Sequence, residues 1–207
     1  MTEYRVGGSG KTQTVLHYVL QNVPKYKTGV AFLNATSTTT LAADFDRLHG
    51  LLNLGDTKDK VRSVKSWLSK PENSQWLLVF DNADNLNLVP IHKYLPAVDW
   101  GHVIITSRDQ TVIGSIVEEG HVLASLTAED ATQLLLERSG IQHPSESETE
   151  EARSIADLLG SLPLALVQAA AFVRSRQKSL KDYHRLFMNR RNDLLGFSPR
   201  LGDVNKS

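Results

Sequence analysis

An α/β fold, three-layered with a mostly parallel sheet and followed by a small helical subdomain, is what this 207-residue sequence predicts. Three observations point there. Short apolar runs of strand length alternate with helical periodicities over residues 1–125, a glycine-rich turn opens directly into the first helix, and no strand signal follows Leu126. Strands alternating with helices imply crossover units and a parallel sheet, and such sheets bind ligands beyond the carboxyl ends of their strands.

The elements follow in order. Val15, Leu16, Val19, Leu20 and Val23 recur at helical spacing from Lys11 until Pro24 stops the pattern, so a helix opens out of Gly7-Gly8-Ser9-Gly10. Gly29 introduces Val30-Ala31-Phe32-Leu33, a continuous apolar run suited to a strand buried on both faces. Leu41, Phe45, Leu48 and Leu52, then Val61, Val64, Trp67 and Leu68, give two helices. Trp76-Leu77-Leu78-Val79-Phe80 ending in Asp81 is the strongest strand signal, with His102-Val103-Ile104-Ile105-Thr106 next and His121-Val122-Leu123 as a further short strand. Beyond Leu126, Thr127 with Asp130 resembles a capping box before the stripe Ala131, Leu134 and Leu135. A polar connector from Gly140 to Glu151 leads to a helix over Ala152–Leu159 closed by Gly160. Pro163 opens the next helix, through Arg174, and Leu180, Tyr183 and Phe187 mark the last. The expected division is an α/β domain over 1–125, a helical subdomain over 126–191 and a flexible tail over 192–207.

Composition narrows the function classes. Hydrophobic residues at 41% and charged residues at 22% are those of a folding chain, and 23 basic against 23 acidic residues leave no overall field to gather nucleic acid or an anionic membrane. The absence of cysteine excludes disulfide scaffolds, Fe–S clusters and cysteine nucleophiles. No apolar run approaches the roughly 18 residues of a membrane span. Met1-Thr2-Glu3-Tyr4-Arg5 lacks the pattern of a secretion signal, so the expected compartment is cytoplasmic. The seven histidines are scattered without metal-ligand spacing.

Chemistry concentrates in two places. In Gly7-Gly8-Ser9-Gly10-Lys11-Thr12, glycines let backbone amides turn inward around phosphates at a helix N-terminus, Lys11 reaches the terminal phosphates, and the Thr12 hydroxyl suits Mg²⁺. The pattern G-x-x-x-x-G-K-[ST] places a glycine where this chain has Arg5. Asp81, at the end of an apolar strand, is positioned to hold the same ion through water.

These segments, with Phe32-Leu33-Asn34-Ala35, Asp81-Asn82-Ala83-Asp84, Ile104-Ile105-Thr106-Ser107-Arg108-Asp109 and Leu159-Gly160-Ser161-Leu162-Pro163-Leu164-Ala165-Leu166, resemble the NB-ARC domains of STAND-type P-loop NTPases. The likeness is greatest to the fungal NOD-like receptors that carry tetratricopeptide repeats. It implies a P-loop NTPase fold that binds ADP or ATP with Mg²⁺. Gly7, Gly8, Ser9, Gly10, Lys11, Thr12 and Gln13 would form the phosphate loop, Thr12 and Asp81 would hold the metal, and Arg108 would be the sensor that approaches the terminal phosphate. Pro163, with Leu164 beside it, would touch adenine from the helical subdomain, and Lys11, Asp81 and Arg108 would carry whatever catalysis occurs.

The departures shape the expected function. Besides Arg5, Ser161 stands where the motif usually has glycine, and Asn82 stands where hydrolytic relatives often have a second acid and cannot act as a general base. The reading is therefore a nucleotide-dependent regulatory switch with slow or no hydrolysis. Its rival is an interaction fragment or decoy that binds no nucleotide. Relative to the family the chain looks clipped at both ends, lacking the winged-helix subdomain and repeat array, so partners beyond the nucleotide are those domains or a second copy of the chain. Thr2–Val6 is expected to form the first strand, lying between the strand that ends in Asp81 and the strand over His102–Thr106.

Overall fold

The computed structural model describes residues 9–195, with side chains through residue 190. The expected strand over Thr2–Val6, and Gly7 and Gly8 of the phosphate loop, lie outside the described residues. Two compact units divide the chain between Val122 and Leu123.

The first unit is α/β. Its sheet has three parallel strands, β1 (Gly29–Asn34), β2 (Trp76–Asp81) and β3 (His102–Ile105), in spatial order β1-β2-β3. β2 is central, and Trp76 through Phe80 are all buried, which is why the sequence there is continuously apolar instead of alternating. Successive side chains pass to opposite faces. Trp76, Leu78 and Phe80 join Leu33, Leu41, Phe45 and Val64 in the larger core, while Leu77 and Val79 pack with Val19 and Tyr26 in a smaller one. The larger core is supplied by α2 (Thr38–Leu51) and α3 (Lys60–Leu68), and the smaller by α1 (Lys11–Asn22). The sheet is thus the middle of three layers.

Local chemistry fixes the ends of these helices. The Ser37 hydroxyl caps α2 by accepting from the Thr40 amide at 3.1 Å, and Asp59 caps α3 by accepting from the Arg62 amide at 2.9 Å. At the other end of α3 the Leu68 carbonyl accepts from two indoles, Trp76 Nε1 at 2.9 Å and Trp100 Nε1 at 3.2 Å. Those rings satisfy an orphaned helix-terminal oxygen while filling the core. Gly101, at φ 78°, sits against the Trp76 ring, and a Cβ there would run into the indole.

Two expectations are corrected. β2 and β3 pair directly, Leu77 opposite His102 and Phe80 opposite Ile105. Both edges of β2 are therefore occupied, by β1 and β3, and no slot exists between the two strands for Thr2–Val6. His121-Val122-Leu123 forms no strand; Val122 and Leu123 are 52% and 38% exposed, and so short a run without a ladder partner leaves its backbone to water.

The second unit is helical: α4 (Ala128–Ser139), α5 (Glu146–Leu158), α6 (Pro163–Ser175) and α7 (Leu180–Leu195). Thr127 caps α4 through the Asp130 amide, Gly140 ends it in the left-handed region, and Ser145 with Glu148 forms a reciprocal capping box on α5. Ala131, Ala152, Ala156, Ala169 and Ala170 are buried beside Leu135, Ile155 and Leu166, so small residues let the helices approach closely while the larger ones fill the gaps. α7 runs past Asn192 to Leu195. Among the described residues no helix is long and apolar enough to cross a membrane.

Candidate functional site

The N-cap of α1 is Gly10, whose φ of 88° is in the left-handed region where glycine meets no steric penalty, and among the described residues no side chain caps the helix. Its first amides are therefore available to an anion. Lys11 is the first helical residue, and its ammonium donates to Ser9 Oγ at 3.3 Å within the same turn. Gln13, one residue beyond Thr12, is exposed.

Thr12 reaches across to the sheet. Its hydroxyl donates to Asp81 Oδ1 at 2.9 Å and lies 3.2 Å from Oδ2, joining the first turn of α1 to the carboxyl end of β2 across 69 residues of sequence. Of the residues the sequence singles out, Thr12 and Asp81 are brought into contact in this way, with Lys11 next to Thr12 in the chain. The donor set, one hydroxyl beside one carboxylate, fits a hard cation such as Mg²⁺ that keeps waters and takes its remaining ligands from phosphate. Among the described residues no group of three His, Cys, Asp or Glu is placed to hold a metal ion.

Asp81 is fixed from its far side by Thr106, which sequence reasoning left without a role. Thr106 is 4% exposed, and its hydroxyl donates to Asp81 Oδ1 at 2.5 Å and accepts from the Asn82 amide at 3.0 Å. Asn82 adopts φ 62° and its side-chain amide donates to Asp81 Oδ2 at 3.3 Å. That residue thus serves the carboxylate as a donor. Only its place at the end of an apolar strand, level with Asp81, could have marked Thr106 in advance.

The segments leaving β2 and β3 are laced together beyond this point. The Ala83 amide donates to the Thr106 carbonyl at 2.8 Å, Ser107 Oγ donates to the Ala83 carbonyl at 2.6 Å, and the Arg108 amide donates to Asp84 Oδ1 at 2.7 Å. The Arg108 guanidinium closes on the other oxygen: Nε and Nη2 both lie 2.6 Å from Asp84 Oδ2. Arg108 therefore stands two residues beyond Thr106 in an ion pair with Asp84. Asp109 follows, its carboxyl held below the usual carboxylate range by the Thr111 amide at 2.9 Å and hydroxyl at 2.8 Å. Asn34, opposite Asp81 in the sheet, is tied into its own turn, accepting from the Thr36 amide and hydroxyl.

Pro163 and Leu164 belong to the second unit. Pro163 occupies the first turn of α6, where its missing N–H costs nothing, and Leu164 is 53% exposed.

A helix opened by glycine and lysine, set against the carboxyl end of a parallel sheet and followed by a helical unit, is consistent with a P-loop NTPase-like fold. No family model matches the chain. It is similar to a nucleotide-binding leucine-rich repeat (NLR)-like protein of Hyaloscypha variabilis, 25% identical over 197 residues that cover 86% of this chain and 20% of that protein. The chain thus spans about a fifth of that relative's length. The relative's name speaks of leucine-rich repeats and does not mention tetratricopeptide ones.

Proposed function

We propose that this chain is the nucleotide-binding regulatory module of an NLR-like signalling protein, taking ADP or ATP with Mg²⁺. The single observation that carries the reading is the contact of Thr12 with Asp81 at the head of a helix whose first residue is Lys11. The NLR-like relative, whose name includes nucleotide binding, supports it. In this reading the uncapped amides of α1 and the Lys11 ammonium receive the β- and γ-phosphates. Thr12 and Asp81 would hold Mg²⁺, which when bound neutralises phosphate charge. Pro163 and Leu164 are the proposed adenine contacts, and the compartment is proposed as cytoplasmic.

Turnover would be slow. Asn82, beside Asp81, donates to the carboxylate and has no basic lone pair to activate water, and Asp84 is engaged by Arg108. Such a protein works as a switch whose bound nucleotide, and not its flux, is the signal.

Native mass spectrometry of the purified 207-residue chain, followed by titration with a fluorescent ATP analogue, tests the reading. Co-purifying ADP or ATP, with binding that collapses in Lys11→Ala, is the expected result. Equal affinity of parent and Lys11→Ala, or no binding at all, would overturn it and favour an interaction fragment that carries no nucleotide. A steady-state turnover in the ordinary enzymatic range of about 1–1000 per second would overturn the switch.

A further inference from the structure

Three polar side chains end the three strands on the sheet face that carries α1. Val30 and Phe32 of β1, Leu77 and Val79 of β2 and Ile104 of β3 all belong to the smaller core beside α1, so the next residues of that alternation, Asn34, Asp81 and Thr106, fall on the same face. Asn34 and Asp81 are register partners on adjacent strands, which lie about 4.8 Å apart. The two flanks of Asp81 differ. On the β3 side Thr106 is buried and its hydroxyl is committed to the carboxylate. On the β1 side Asn34 is exposed.

All of Asn34 but its Nδ2 is engaged. The backbone amide donates to Asp44 Oδ2 at 2.7 Å, the carbonyl accepts from the Thr40 hydroxyl at 3.1 Å, and Oδ1 accepts from the Thr36 amide at 3.0 Å and the Thr36 hydroxyl at 2.6 Å. A backbone N–H can only donate, so the Thr36 amide fixes the side chain with its oxygen toward the turn. The two Nδ2 hydrogens are left without a partner among the described residues, one strand away from Asp81.

We propose that Asn34 is a phosphate-binding residue, its Nδ2 donating to an oxygen of a nucleotide phosphate held at the first turn of α1. The proposal deepens the nucleotide reading above and rests on it. A phosphate at that turn lies beside Thr12, whose hydroxyl is 2.9 Å from Asp81, and the β1 flank of Asp81 is the open one. A neutral amide suits the place. Its N–H satisfies a phosphate oxygen next to a carboxylate that repels it, whereas a lysine or arginine would compete with Mg²⁺ for both groups and a second carboxylate would add to the repulsion.

Asn34→Asp tests this, because the acceptor that Thr36 uses is kept while both donors give way to negative charge. Asn34→Ser, with one short hydroxyl, is the second variant. ADP is titrated calorimetrically into the full chain in EDTA, so that the new carboxylate has no metal to recruit. Affinity should fall about tenfold or more in Asn34→Asp, the lower end of what a hydrogen bond to a charged group contributes, and by less in Asn34→Ser. A second readout needs no variant: in the parent, the Nδ2 proton resonances of Asn34 should shift and exchange more slowly with water when Mg·ADP is added. Equal affinity of parent and Asn34→Asp, or Nδ2 resonances unmoved by Mg·ADP while the Lys11 and Thr12 amides shift, would overturn the proposal and leave the nucleotide reading intact. A parent chain that binds neither ADP nor Mg·ADP would overturn both.

Discussion

Replacing Thr106 by valine removes one hydroxyl and little volume, yet that hydroxyl serves two partners at once. It donates to Asp81 Oδ1 at 2.5 Å and accepts from the Asn82 amide at 3.0 Å, in a position 4% exposed. A hydrogen bond to a charged group contributes about 1.5–3 kcal/mol. Asn82 is itself exposed, so its amide can turn to water and adds little, and a net loss of about 1.5–3 kcal/mol is expected. At an m value of about 2 kcal/mol per molar urea this moves the unfolding midpoint of the first unit by about 0.75–1.5 M. Amide exchange gives a second readout, because the Asn82 N–H should lose its protection in Thr106→Val. Magnesium-dependent nucleotide binding should weaken as well, since among the described residues Asp81 then keeps Thr12 and the Asn82 side chain as donors. A midpoint unchanged within about 0.25 M, with Asn82 still protected, would show that Thr106 does not hold the carboxylate and that the site is fixed by the sheet alone.

Gly101→Ala should destabilise the first unit by about 2–4 kcal/mol, since the added Cβ meets the Trp76 indole and the backbone is at φ 78°; a thermal melt unchanged from the parent would contradict that packing. Burial, with the Tyr18 hydroxyl 2.9 Å away, pushes the Tyr26 phenol up to about 12 from its usual 10.0. A folded value above the unfolded one means the contribution is fully present below pH 10 and lost as pH rises from there through about 12. Phenolate absorbance titrations should show late-ionising tyrosine, since burial also raises Tyr183, and Tyr18→Phe should bring the Tyr26 part of it some of the way back; uniform ionisation near 10 would refute this.

How much could be read without coordinates depended on how local the determinant was. β2 was legible because five successive apolar residues need a sheet buried on both faces, and α1 because glycine, lysine and a 3.6-residue period coincide there. The helix cap at Thr127 follows the same logic, set by a partner three residues on, whereas the cap at Ser145 was missed, because the polar run read as a connector through Glu151 includes the exposed first turn of α5, which begins at Glu146. The direct pairing of β2 with β3 was not legible, because strand order depends on which edges meet after long crossovers and leaves no periodicity behind. His121-Val122-Leu123 misled for the opposite reason: its residue types favour a strand, but no neighbouring edge receives it. At the site, Lys11, Thr12 and Asp81 carried their own chemistry in residue type and position. Thr106 and Asp84 matter through contacts made 25 and 24 residues away in sequence, and nothing in a threonine or an aspartate announces such a partner.

The two indoles that converge on the Leu68 carbonyl have an optical consequence. The chain has three tryptophans, and Trp67, Trp76 and Trp100 all fall in the first of the two units. Intrinsic emission excited at the indole band therefore reports that unit and is silent about α4 to α7. Far-ultraviolet circular dichroism, by contrast, sees the helices of both units. Recorded on the same sample through one denaturation, the two signals separate the melting of the α/β unit from that of the helical one without a label or a truncation. Loss of the hydrogen bond from either ring to the Leu68 carbonyl would change the polarity that indole senses.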